Sequence, residues 1–300
     1  MTSTLNEKLA LIERYSAQNR ARRSAALELQ LVELRREAAQ AMLTLNKEGQ
    51  PAKTSIPDLF AGCGELPEIQ GTELTVDTLA AGILNQGALL VRSLFSAAQV
   101  QYLLKSAEHA PADQQAGDLP LGCSPGTLFD LLEIYQQCGL LQTVRDYLGD
   151  EPVMFAERAK LRRHYADRDK YAAIPWHQDV NFFGTKSYAV NCWAAITPCG
   201  EDNPGLSVIP RRTEQRHGWQ GDGLAPLDYG KRMPEGMMEE LTRDYPIATP
   251  VFRPGDAILF DEMTIHSTAA KPWKLAEQIV AISWFFRASQ FPAWGTPLAV

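Results

Sequence analysis

The segment Pro175-Trp176-His177-Gln178-Asp179 carries an imidazole and a carboxylate two residues apart. Side chains of an extended segment alternate with period two, so His177 and Asp179 share one side and can offer a nitrogen and an oxygen to a single ion. A third ligand has to come from elsewhere, and the chain holds 5 histidines. His109 falls in a predicted helix, His164 in an arginine-rich predicted strand and His217 in an irregular segment. His266 follows Gly255-Asp256-Ala257-Ile258-Leu259-Phe260, a turn and an apolar strand that deliver it to a strand end, and it is the best candidate. Two histidines and one carboxylate on one face of an octahedron suit Fe(II) and leave positions open for a cosubstrate and O2. An all-oxygen set would suit Mg or Ca and a thiolate set Zn; neither is convincing in this sequence. A lone HxD is a weak signal, because the same spacing arises in surface pairs, and its surroundings decide its weight.

Strands must position such ligands, and the second half of the chain supplies them. Residues 153–165, 188–196, 206–209, 247–252, 257–260 and 279–286 read as short strands between Gly and Pro turns, the pattern of a sandwich or barrel. Residues 211–245 form a long irregular insert, as lids and binding loops do. The first half reads as helical over residues 77–86, from Ser96 through Leu104, and twice within 127–148, with one apolar strand at 87–92. Residues 4–48 read as one long helix or two. Thr4 and Glu7 fit a capping box, and Gly49 and Pro51 mark the end. Leu27, Leu31, Leu34, Ala38, Ala41 and Leu45 form an apolar seam that packs either on the main domain or on a second subunit, so a homodimer through this helix is one expectation. Arg20, Arg22, Arg23, Arg35 and Arg36 lie among glutamates, as on a solvated helix face. The expected organisation is an N-terminal helical extension over 1–50 and one domain over 51–300.

The net charge of -7 argues against nonspecific nucleic-acid binding, which a basic patch would serve. No apolar run approaches the roughly 18 residues of a membrane span, and the first residues lack the apolar core of a secretory signal. A soluble, cytoplasmic protein is expected. The 5 cysteines are odd in number and form no CxxC pair, so reduced thiols are expected rather than a disulfide framework or a zinc ribbon.

The surroundings of the HxD resemble the phytanoyl-CoA dioxygenase family of Fe(II)/2-oxoglutarate oxygenases. The resembling residues are Pro175 to Asp179, Asn191-Cys192-Trp193, Asn203-Pro204-Gly205-Leu206-Ser207-Val208-Ile209-Pro210, Pro254 to Phe260 and His266-Ser267-Thr268. Their order and spacing also match, from about residue 84 to residue 286, and the first 50 or so residues lie outside. The resemblance implies an α+β fold, a double-stranded β-helix (jelly-roll or cupin-like) core with flanking helices; the long N-terminal helix read from the capping box and apolar seam stands ahead of it. It implies that His177, Asp179 and His266 bind Fe(II), that Gln178 and Trp193 line the cosubstrate pocket, and that the Thr268 hydroxyl contacts the far carboxylate of 2-oxoglutarate. The implied activity is hydroxylation of a small molecule by O2, coupled to release of succinate and CO2. A full triad leaves no ligand position for a halide, so halogenation is disfavoured, while desaturation and ring closure would use the same ligands.

One departure stands out. The family places an arginine about eleven or twelve residues beyond the distal histidine, where its planar fork pairs with the 2-oxoglutarate carboxylate. Here that region reads Glu277-Gln278-Ile279. Gln278 could donate one hydrogen bond but brings no charge. Arg163, on the strand before the HxD, is the first choice for a substitute cation, ahead of Arg287, Lys271 and Lys274. The alternatives are an Fe(II) oxygenase that does not use 2-oxoglutarate and a non-catalytic binding protein on the same fold. Phe182, Phe183 and Tyr188 follow the HxD, and Arg211 and Arg212 sit where a loop would overhang the site, which suggests an anionic group on the substrate.

Overall fold

The computed structural model describes residues 4–45, 56–108, 117–120, 125–166, 174–184, 187–216, 235–269 and 271–300. Gly49, Pro51, His109, Cys123 and His217 lie outside them.

The N-terminal segment folds as two helices, α1 (Leu5–Ala21) and α2 (Ala25–Leu45). Thr4 and Glu7 close the expected capping box at the start of α1. Leu31, Arg35, Ala38, Ala39 and Met42 form the buried face of α2. α2 packs on the last strand and on a later helix of the same chain; of the expected seam Leu31 and Ala38 are buried, Leu27, Leu34 and Ala41 half-buried and Leu45 exposed. Small side chains at Ala38 and Ala39 let the helix approach closely.

In chain order there follow β1 (Glu68–Gln70), α3 (Val76–Ala80), β2 (Ala88–Arg92), α4 (Ala97–Glu108), β3 (Gly117–Pro120), α5 (Pro125–Gln137), α6 (Leu140–Leu148), β4 (Pro152–Phe155) and β5 (Lys160–Tyr165). The second half adds α7 (Val180–Phe183), β6 (Ala189–Ala195), β7 (Gly205–Val208), α8 (Glu235–Asp244), β8 (Ala257–Asp261), β9 (His266–Ala269), β10 (Glu277–Arg287) and β11 (Pro297–Ala299). The larger sheet runs β1-β2-β8-β6-β10-β4-β11, with β5 also paired to β10 and β3 to β5; the smaller pairs β7 with β9. This is a double-stranded β-helix of mixed α and β structure, and α2 docks on β11 and α5.

The long strand β10 shows how the two cores divide. Ile279, Ala281 and Phe285 face the helical layer, where they meet residues such as Leu128, Leu131 and Tyr135. Val280, Trp284 and Phe286 face the smaller sheet with Trp193, Phe260 and Phe155. A strand alternates its side chains, so one buried on both sides reads as a near-continuous apolar run.

Two sequence expectations change here. Residues 247–252 make only isolated pairings, Ala248 with Val208 and Phe252 with Cys199. Pro246 and Pro250 remove ladder donors, and apolar β-formers alone do not make a strand there. The insert is not irregular throughout, because its end is α8. Met237, Met238 and Leu241 pack there on Ile209, Ile265 and Trp176. Among the described residues no helix is long and apolar enough to cross a membrane, and Cys63, Cys138, Cys192 and Cys199 are free thiols.

The turn before β8 depends on Gly255. Its φ is +94°, and a Cβ there would lie 2.3 Å from the Phe95 carbonyl oxygen. Gly255→Ala is expected to cost more than about 1 kcal/mol. Urea unfolding should show a lower midpoint at unchanged slope.

Candidate metal centre

The HxD segment is docked on β9 by backbone pairing. His177 N–H donates to the His266 carbonyl at 2.9 Å, and His266 N–H donates back to the His177 carbonyl at 3.0 Å. The segment does not stay extended. Asp179 has φ -72° and ψ -19° and opens α7, whose Phe182 N–H donates to the Asp179 carbonyl at 2.8 Å. Convergence of the side chains therefore comes from a turn and a neighbouring strand rather than from strand alternation alone. His177 Nε2 lies 3.6 Å from Asp179 Oδ1, and His266 Nε2 lies 3.4 Å from Asp179 Oδ2. One ligand atom from each of the three residues falls within 4.8 Å of the others, and all three residues are buried.

Backbone carbonyls set the tautomers. His177 Nδ1 lies 2.7 Å from the Pro175 carbonyl, and His266 Nδ1 lies 3.0 Å from the Thr264 carbonyl. A carbonyl only accepts, so each Nδ1 carries its hydrogen, which leaves Nε2, the nitrogen facing Asp179, as the atom of each ring that can ligate a metal. Burial first, and then His177, push the His266 imidazole down to about 4, which keeps it neutral. Burial disfavours the Asp179 charge, yet His266, His177 and Arg158 hold its carboxyl below the usual carboxylate range. A neutral His266 and an ionised Asp179 are protonation states that a divalent metal requires.

A rigid acidic turn supports the ligands. Asp261, at the end of β8, accepts Arg212 Nε at 2.6 Å and Met263 N–H at 3.0 Å. Glu262 accepts Ala189 N–H on its carboxylate at 2.9 Å and Val180 N–H on its carbonyl at 2.8 Å. Thr264 donates to the Gly87 carbonyl at 2.5 Å. This turn fixes both the first residue of β9, which is His266, and the start of α7.

A cavity of about 90 Å³ opens on the triad between the two sheets. Phe182, Phe183, Phe260 and Trp284 form its apolar wall, and Trp193, Thr268 and Gln278 also line it. Trp193 packs on Phe252 with ring centroids 4.8 Å apart. Thr268 Oγ1 accepts Ile174 N–H at 3.0 Å. The Gln278 amide donates to Cys199 Sγ at 3.3 Å and to the Pro204 carbonyl.

Other expected residues lie elsewhere. Gln178 does not line the cavity; its amide donates to the Met263 carbonyl at 2.7 Å and the Gln215 carbonyl at 3.2 Å, tying the HxD to the acidic turn. Arg163 is turned to the other face of β5, where it pairs with Glu277 at 2.8 Å. The Arg287 guanidinium donates to the Leu148 carbonyl at 2.8 Å, and Lys274 pairs with Asp202 at 2.7 Å. Neither they nor Lys271 line the cavity. Arg211 sits over the Tyr245 ring at 4.6 Å, Arg212 is held by Asp261, and Tyr188 stacks on Tyr147. Among the described residues, the cations that do line the cavity are Arg158 and Arg162, which sequence reasoning passed over. Period-two alternation separates Arg162 from Arg163, but only the pairing of β5 with β10 says which of them faces inward.

Comparisons with known proteins agree with this architecture. Comparison with curated proteins gives no match. Among solved structures, the epimerase SnoN in complex with Fe3+, alpha ketoglutarate and nogalamycin RO superposes with a TM-score of 0.53 at 16% identity, over 70% of this chain and 83% of that one. EctD from S. alaskensis with 2-oxoglutarate and 5-hydroxyectoine gives 0.51 at 18%, over 69% and 74% of the two chains. The carbocyclase SnoK from nogalamycin biosynthesis gives 0.51 at 14%, over 73% and 86%. At such identities the likeness is one of fold. A sequence profile of the phytanoyl-CoA dioxygenase family matches residues 83–271, which span His177, Asp179 and His266, and the chain belongs to that family.

Proposed function

We propose that this protein is a non-haem Fe(II)/2-oxoglutarate-dependent oxygenase that hydroxylates a small molecule. The observation that carries the reading is the buried triad, with both Nδ1–H groups tied to carbonyls and both Nε2 atoms aimed at Asp179. That donor set suits Fe(II) and leaves one face for other ligands. Iron has been seen in the fold relatives SnoN and EctD, and so has the 2-oxo acid.

His177, Asp179 and His266 would hold the iron. When bound with O2 and 2-oxoglutarate, the metal supplies an oxidation coupled to loss of succinate and CO2. The chain's own part is positional. The acidic turn fixes the ligands, and the apolar wall of Phe182, Phe183, Phe260 and Trp284 keeps water from the reacting centre. The Thr268 hydroxyl accepts from Ile174 N–H, which leaves its own hydrogen to donate to an anion in the cavity. Trp193 supplies a flat wall beside it. Hydroxylation is the simplest outcome for a full triad, and the epimerase and carbocyclase among the fold relatives mark the other outcomes to score.

A second reading, an Fe(II) oxygenase without 2-oxoglutarate, is favoured by one observation. The Gln278 amide spends both hydrogens on Cys199 and Pro204 and offers none to a carboxylate. Anaerobic titration of the Fe(II)-loaded protein with 2-oxoglutarate separates the two. A saturable visible charge-transfer band, followed by succinate formation in air, is the expected result. Bound iron with no band would remove 2-oxoglutarate and retain the metal.

A further inference from the structure

Two arginines reach the metal cavity beside its candidate ligands. Arg158 and Arg162 both line it, and among the described residues the acid lining it is Asp179, itself a metal ligand. The register of β5 on β10 says which part of the cavity Arg162 reaches.

On β10, Gln278 lies opposite His164 and Val280 opposite Arg162. Gln278, Val280 and Arg162 all line the cavity. Arg162 is therefore the diagonal cross-strand neighbour of Gln278 on the same face. Such neighbours stand roughly 7–8 Å apart, within reach of a long side chain. A guanidinium anchored on β5 can thus occupy the space in front of Gln278. Gln278 cannot serve there itself, because its amide hydrogens are engaged with Pro204 and Cys199. Thr268 comes from the opposite sheet with a hydroxyl hydrogen to give. Arg163, one residue along, is on the far face against Glu277. Arg158 lines the same cavity, and its charge bears on Asp179.

We infer that Arg162 grips the distal carboxylate of a dicarboxylic 2-oxo acid, so that the cosubstrate's charge is met from β5 instead of β10. The inference rests on the proposed 2-oxoglutarate reading and goes beyond it by naming the residue that selects a dicarboxylic over a monocarboxylic acid. The planar fork of arginine suits a carboxylate, and Thr268 supplies a further hydrogen bond from the other sheet.

The test is anaerobic titration of Fe(II)-loaded protein with 2-oxoglutarate and, separately, with 2-oxobutyrate, following the charge-transfer band. Both acids can chelate iron through the same keto acid end, and 2-oxobutyrate lacks the distal carboxylate. Wild type is expected to favour 2-oxoglutarate by about 10–100-fold, the worth of a charge-assisted hydrogen bond. Arg162→Met should erase that preference while holding the 2-oxobutyrate affinity within about two-fold, which also reports an intact metal site. Arg162→Lys should keep part of the preference, and Arg163→Met all of it. If Arg162→Met retains the preference, or weakens both acids equally with unchanged far-UV circular dichroism, the assignment is overturned. If Arg162→Met fails to fold, the comparison passes to Arg162→Lys and Arg162→Gln, and full preference in both overturns it. Wild type that binds both acids alike overturns the assignment but leaves 2-oxo acid chelation standing. No band with either acid ends the 2-oxoglutarate reading and the inference together.

Discussion

Asp179→Ala is expected to abolish stoichiometric Fe(II) binding, measured as metal content after anaerobic loading and desalting. Removing even an outer partner of a metal ligand costs roughly 10–100-fold in affinity, and removing the one anionic ligand should cost more. The apo fold should survive. Asp179 is buried, and its backbone carbonyl, which the substitution keeps, still starts α7. Its carboxyl is held below the usual carboxylate range, so the ionised group favours the fold, and its loss should lower the apo Tm modestly without unfolding the protein. Wild type should instead gain stability when iron is added, by about 2.7 kcal/mol at a hundredfold excess over Kd, and Asp179→Ala should gain nothing. A variant that keeps one equivalent of iron and its metal-dependent Tm shift would remove the triad from the account. His266→Ala should behave in the same way.

The second large effect is one of stability. Arg212→Met should lower stability by about 3–5 kcal/mol, because it leaves the wholly buried Asp261 without its cation. At about 2–4 °C per kcal/mol, the fall in Tm is on the order of 10 °C. The defect should depend on pH. Burial raises the Asp261 carboxyl, and Arg212 opposes the rise; burial raises the adjacent Glu262 further. Without Arg212 the folded state binds more protons than the unfolded chain over the range between their two carboxyl pKa values, so stability falls as pH rises through that range. The deficit relative to wild type should therefore be smaller at about pH 5 than at about pH 8. Calorimetry at the two pH values reads this directly, and an equal deficit at both would assign the loss to packing. Iron affinity should fall as well, since the turn over residues 261–264 sets the start of β9.

The candidate metal ligands were legible because their chemistry is local. An HxD with a proline and tryptophan before it, and a histidine after a turn and an apolar strand, need no knowledge of distant pairing. The strands with strong apolar alternation were legible for a similar reason. β9 was not, because His266-Ser267-Thr268-Ala269 has little apolar pattern and is extended only by pairing with β7. Arg162 and Arg163 could not be told apart from the chain alone. Which one faces the cavity is set by pairing with β10, more than a hundred residues later in sequence. The irregular look of the insert hid α8, whose apolar face is short and methionine-rich. The turn at Asp179 was missed because its anchor, the Glu262 carbonyl, belongs to the far end of β8.

The docking of α2 on β11 carries a consequence for the order in which the chain is made. Arg35 in α2 donates to the Ala299 carbonyl at 2.7 Å, a contact spanning 264 residues. During synthesis the two first helices emerge long before the surface that receives them. Residues Leu31, Ala38, Ala39 and Met42 must wait as an exposed apolar stripe until β11 has left the ribosome. A helical hairpin of this length is marginal in water without its packing partner. Docking of α2 therefore waits for the synthesis of β11, and the interval is when a chaperone would find the most to hold.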